Sequence, residues 1–238
     1  MTKLILLLFS MTLFSCGQKG AGETAAPITE VKKASTTTAP SFNADSAYAY
    51  VEKQVSFGYR VPNTPAHKAC GDYLVSELKR FGAQVYEQEA TLKAYDGTPL
   101  ESRNIIGSFN PDKDKRILLF AHWDTRPYSD HDPDPANHKK PLDGADDGAS
   151  GVGALLEIAR QMGMKAPEVG VDIIFFDAED YGTPEFAKDR YNDTSDTWCL
   201  GSRFWGKNPH KPGYKPSLVS CSTWSEPKMP CSIRNTSP

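Results

Sequence analysis

The chain is 238 residues long, with 39% hydrophobic and 11% aromatic residues and a formal charge of −3. That balance excludes the basic signature of a nucleic-acid binder, and after a polar leader about two hundred residues remain, enough for one domain with a sizeable core. The five cysteines are scattered without C-x-x-C spacing, which excludes a disulfide framework.

In chain order, Lys3 and the apolar run LILLLFSMTLFS come first, a stretch too short to span a bilayer, and they predict a secretory signal over residues 1–15. Leu13-Phe14-Ser15-Cys16 has the form of a lipobox, in which the cysteine is diacylated and becomes the first mature residue. On that reading Cys16 is a lipidation site and the chain is exported, held by a lipid anchor at a membrane and facing the periplasm or cell exterior. The alternative is an ordinary cleaved signal with an incidental cysteine. Residues 16–41 are rich in Ala, Thr, Gly, Lys and Pro and predict a flexible tether, so the folded domain is expected over residues 42–216.

Asn43 to Val55 predicts a helix. Thr64-Pro65 opens a second, with Tyr73, Leu74, Leu78 and Phe81 on one face and Gly82 as its stop. Gln84 to Leu92 alternates with β-formers, Asp96-Gly97 marks a turn, and Ser102 to Phe109 is the expected antiparallel partner. Arg116 to Ala121 (RILLFA) and Val171 to Phe176 (VDIIFF, Asp172 apart) are apolar without alternation, as strands buried on both faces are. The amphipathic run Gly151 to Met162 lies between them, giving a strand, crossover helix, strand unit. The fold class is therefore α/β, a mixed, mostly parallel sheet with helices on both faces. Cys70 and Cys199 read as small buried residues, and Trp123, Trp198, Phe204 and Trp205 as core aromatics before pocket walls.

Polar residues gather where the buried strands end, the edge at which open α/β sheets bind ligands. His122-Trp123-Asp124 follows the first, Asp177-Ala178-Glu179-Asp180 the second, and LDGADDGASGVG sets Asp146 and Asp147 in a glycine-rich turn at the entrance of the crossover helix. Taken singly, an aspartate there is equally an N-cap and the histidine a structural hydrogen-bonder. Their joint delivery to one edge points to a metal site.

HWD after a strand, GADDGASGVG opening a helix and FFDAEDYG after the next strand resemble the zinc aminopeptidase superfamily. AHWDTRPYSDHD, LDGADDGASGVGALLEIAR, IIFFDAEDYG and WCLGSRFWG resemble more narrowly the glutaminyl-peptide cyclotransferases (glutaminyl cyclases), and the likeness runs from about Phe42 to Pro216. The resemblance implies a zinc cofactor held by Asp147 and Asp180, with Glu179 as general acid/base and Asp146 at a variable position. The family's third ligand is a histidine nearer its C-terminus; His210 is too early and in the wrong context to be assigned. The implied substrates are peptides or proteins with N-terminal glutamine, cyclised to pyroglutamate with release of ammonia.

Two other readings stay open: a two-zinc aminopeptidase in which His122 ligates one metal, Asp147 bridges both and Asp124 supports His122, and a non-catalytic surface-anchored module. After Pro216 a further buried strand is expected, yet SLVSCSTWSEPKMPCSIRNTSP is sparse in apolar residues and carries prolines unsuited to a central strand. A one-base slip near Ser217 is compatible with FGILLDMVGAKDAMFYKEYFS, whose LLDMVGA resembles the family segment that supplies a second catalytic aspartate. Residues 217–238 are therefore expected to be a frameshifted tail on a truncated, impaired copy.

Overall fold

The computed structural model describes residues 40–191 and 195–222. The signal, Cys16, the tether up to residue 39 and the tail from residue 223 lie outside the described residues. Among the described residues no helix is long and apolar enough to cross a membrane.

Helix α1 (Ala44–Val55) starts where Asn43 Oδ1 accepts the Ser46 N–H at 2.9 Å. Helix α2 (Pro65–Arg80) starts where Thr64 Oγ1 accepts that of His67 at 3.1 Å, with Pro65 in the first turn where a missing N–H costs nothing. Strands β1 (Gln84–Lys93) and β2 (Pro99–Phe109) form the expected antiparallel pair across the Asp96-Gly97 turn. β3 (Arg116–His122), α3 (Gly151–Met164) and β4 (Gly170–Phe176) make the crossover unit, β4 lying parallel to β3 and antiparallel to β2. Helix α4 (Leu200–Lys207) and strand β5 (Leu218–Cys221) complete a five-stranded sheet in the order β1-β2-β4-β3-β5.

The absence of alternation in β4 is explained by two cores. Ile173 and Phe175 pack with Leu74, Leu78, Leu155 and Leu156 from α2 and α3, whereas Ile174 and Phe176 face Leu118, Phe120 and Trp205 on the other side. Each fully buried side chain of this size contributes about 1.5–3 kcal/mol, so the central strands hold the site's floor rigid. Trp123 and Trp205 are core as expected, and Cys70 is buried, but Cys199 is only partly so.

β5 departs from expectation. A strand does form in the tail: Leu218–Cys221 pairs parallel with Ile117 to Phe120, and Ser217 N and Ser222 N extend the ladder to Arg116 O and Phe120 O at 2.8 Å. No proline interrupts residues 217–222, and the open edge of β3 offers unpaired backbone groups. The strand is nonetheless exposed, Leu218 by 57% and Val219 by 46%, where a buried one was expected.

Candidate metal centre and active site

The site is built at the C-terminal ends of β3 and β4 by two buried aspartates that shape the loops beyond them. Asp124, fully buried two residues past β3, accepts the N–H of Glu179 on Oδ1 and that of Asp180 on Oδ2, both at 3.1 Å. Asp177, fully buried at the end of β4, accepts the N–H of Ala178 and of Arg103 at 2.7 Å and is bridged by His67 Nε2 at 2.8 and 3.0 Å. His67 is stacked on Trp123, ring centroids 4.2 Å apart, which ties α2 to the loop after β3. From the other side α4 donates: Cys199, Leu200 and Gly201 N–H groups reach the carbonyls of Glu179, Ala178 and Asp177 at 2.9, 3.0 and 3.1 Å.

Asp147 arrives from a different element. The turn before α3 breaks at Asp147 (φ −82°, ψ 112°) and Gly148 (φ 91°), a backbone open to glycine alone at low cost. A Cβ on Gly148 would lie 2.9 Å from Asp124 O and 3.2 Å from His122 Cε1, so only glycine lets the turn close on β3. Neither Asp146 nor Asp147 caps α3, which has no side-chain cap bond. Asp147 Oδ1 instead meets His122 Nε2 at 2.7 Å, and Asp146 is exposed.

These contacts bring His122, Asp124, Asp147, Glu179 and Asp180 together. His122 Nδ1 lies 3.5 Å from Asp124 Oδ1 and 3.9 Å from Glu179 Oε2, beyond hydrogen-bond geometry, and is a buried nitrogen without a bonded partner. Burial alone would depress His122, but the carboxylates of Glu179, Asp124 and Asp147 outweigh it and lift the imidazole well above its ordinary value. Asp124 is pushed up by burial and pulled below its usual range by His122 and the two loop amides. Glu179 is raised, chiefly by burial and then by Asp124 and Asp147 despite the opposing pull of His122. Asp180 is raised well above a normal carboxyl by burial and by Glu179, although Arg126 Nη1 stands 3.4 Å from its Oδ1.

Several participants carried no signal of their own in the sequence. Arg126 is gripped by both oxygens of Asp130 at 2.7 Å and lies 4.6 Å over the Trp198 ring, and the Cys199 thiol donates to Glu179 Oε1 at 3.3 Å. TRPYSDHD and WCLGSRFWG held these residues, but only folding shows which carboxylate each serves.

An acid pair with too little positive charge around it is what a divalent cation compensates, so the chemistry of Asp147 and Asp180 fits such an ion. Their number is short: among the described residues no group of three or more His, Cys, Asp or Glu converges closely enough to hold a metal. His210, left unassigned from the sequence, sits elsewhere, 3.9 Å from Asp172 at the opposite end of β4.

Compared with known proteins, residues 104–219 match the model of Peptidase family M28. Among solved structures, a Zn-dependent exopeptidase from Parabacteroides distasonis ATCC 8503 is 73% identical, with a TM-score of 0.74 covering 76% of this chain and 61% of that one. The glutaminyl cyclase of Tannerella forsythia is 65% identical, TM-score 0.73, covering 76% and 62%. The Bacteroides thetaiotaomicron glutaminyl cyclase bound to N-acetylhistamine is 58% identical, TM-score 0.75, covering 76% and 62%. This chain thus spans about three-fifths of the length of these structures. The resemblance expected from the motifs is borne out, and the described residues form the mixed sheet of the zinc exopeptidase and glutaminyl cyclase fold.

Proposed function

We propose that the domain serves zinc-dependent cyclisation of N-terminal glutamine in peptides and proteins, leaving pyroglutamate at the N-terminus and releasing ammonia. The observation that carries the reading is Asp124 holding the amides of Glu179 and Asp180, which fixes two carboxyls side by side, both raised. Asp147 and Asp180 would contribute to holding zinc, whose chemistry is Lewis-acid polarisation of the side-chain amide.

Glu179 does the proton work. The substrate's α-amine attacks its own side-chain amide carbon; the new C–N bond closes the ring, and the old C–N bond breaks to release ammonia. Glu179 accepts the proton the amine loses and returns it to the departing nitrogen, and burial favours a carboxyl that can do both. Asp124 keeps the acid loop in place, and the half-buried Glu179 side chain, 26% exposed, remains open to substrate.

Glu179→Gln is expected to lower kcat by about 10²–10⁴-fold while zinc uptake persists, because an amide cannot shuttle the proton. Ammonia release and pyroglutamate formation from a Gln-initiated peptide measure it; a variant with near wild-type kcat would remove Glu179 from this role. A two-zinc aminopeptidase is favoured by one observation, the 2.7 Å approach of His122 to Asp147. It requires free amino acids as product and about two zinc ions per chain, where cyclisation requires about one. The lipobox form of Leu13-Phe14-Ser15-Cys16 supports lipidation of Cys16 and placement at a membrane; Cys16→Ala should abolish partitioning into detergent without unfolding the domain.

A further inference from the structure

Arg60 is fully buried, yet among the described residues no carboxylate bonds it; its guanidinium is spent on main-chain carbonyls. Nη1 donates to Asp143 O and Nη2 to Gly144 O, both at 2.7 Å, Nε reaches Trp123 O at 3.4 Å, and Nη1 also lies 3.5 Å from Gly58 O. Its own carbonyl accepts the Thr125 N–H at 3.2 Å. A buried guanidinium is costly, and arginine is seldom fully buried without an ionic partner.

We infer that Arg60 is the positioning residue that sets the Asp147 turn against the loop after β3, and so fixes the spacing of Asp147 to His122 and Asp124. The inference rests on the proposed metal-binding role of Asp147. Its acceptors belong to the two segments that must meet: Trp123, between His122 and Asp124, and Asp143-Gly144, at the root of the turn. Gly144 is the pivot, because its carbonyl accepts both Arg60 Nη2 and, at 3.1 Å, the Ala149 N–H that closes the turn. Gly144 has φ 56°, and a Cβ there would collide with Thr125 Cγ2 and stand 2.7 Å from Asp147 O and 3.0 Å from Arg60 Nη2. The turn therefore sits directly on the guanidinium. Burial depresses the guanidinium below its ordinary value, and the nearby Asp124 and Asp143 offset that only in part. A planar fork reaches diverging carbonyls of two loops from separate nitrogens, whereas the three donors of an ammonium all leave one nitrogen.

The test uses the full chain with Arg60→Lys, and Leu74→Ala as a control that lowers stability through core packing without touching the guanidinium's hydrogen bonds. Zinc affinity is read by competition with a chromophoric chelator, and loop order by hydrogen exchange of the peptide covering residues 143–149. Arg60→Lys is expected to weaken zinc about 10–100-fold, the usual cost of losing a residue that orients a ligand, and to speed exchange in that peptide. Leu74→Ala should lower Tm without either change. Arg60→Lys with affinity within about twofold of wild type and unchanged exchange would overturn the inference, as would a Leu74→Ala that reproduces both effects. Should the wild-type chain take up no zinc, the metal reading fails while the exchange comparison still decides the role of Arg60. Arg60→Met, which removes the charge, is the harsher variant; if it fails to fold, Arg60→Lys carries the decision.

Discussion

The two ends of β4 place buried carboxylates in opposite circumstances. At its start, Asp172 is saturated: Arg116 grips it through Nε and Nη2 at 2.6 Å, Tyr214 Oη donates at 2.7 Å, and Ser108 Oγ completes the shell. Burial would raise its carboxyl, but His210, 3.9 Å away, together with these donors holds it far below the usual range. Beyond its end, Glu179 and Asp180 crowd each other and are raised. The strand thus has one end where charge is fully answered and stabilises, and another where it is left short. A buried ionised group with all its partners belongs to the fold, and one without them belongs to the chemistry.

The largest test breaks the saturated end. Asp172→Ala strands the Arg116 guanidinium in the core and should cost about 3–5 kcal/mol in urea unfolding. A loss under about 1 kcal/mol would mean that the network at this end is not holding the sheet.

A milder variant probes a second saturated carboxylate, Glu157 on α3, bonded by Arg160 at 2.7 and 2.8 Å, Gln161 at 2.7 Å and the Asn43 N–H at 3.1 Å. The Arg160 bond leads these in holding its carboxyl down at about 2, from an ordinary 4.5. A depressed acid contributes stability that is fully present above about pH 4.5 and is lost as pH falls toward 2. Glu157→Gln should cost about 1 kcal/mol near neutrality, and the difference from wild type should vanish in acid; a gap that persists at pH 2 contradicts the assignment.

The smallest expected effect sharpens the contrast. A raised acid costs stability above its unfolded value, so removing the Asp180 charge relieves the fold at neutral pH. Asp180→Asn in metal-free protein should therefore keep or raise Tm while abolishing zinc uptake. A clear drop in Tm would place Asp180, with Arg126, among the saturated groups instead.

Most of the elements were legible in the chain. Asn43 and Thr64-Pro65 announce their helices because capping is local chemistry, and RILLFA and VDIIFF announce strands covered on both faces because neither alternates. Asp147, Glu179 and Asp180 could be listed because strand ends and a glycine turn mark where an open α/β sheet presents side chains. Even β5 has a local cause in a proline-free run of residues 217–222, although the composition of the longer tail argued against a strand there.

What the sequence determined by itself, then, is the set of elements and the residues they deliver to one edge, since both depend on periodicity and caps a few residues apart. Only the tertiary structure decided which of those residues are answered and by whom. Arg60 meets carbonyls 83 and 84 residues away, and Asp172 is closed by side chains from Ser108, Arg116 and Tyr214. Glu179 and Asp180 owe their geometry to an aspartate 55 and 56 residues earlier. Such pairings follow from the order of strands in the sheet and from burial, which set distance and dielectric together, and neither is written in local pattern.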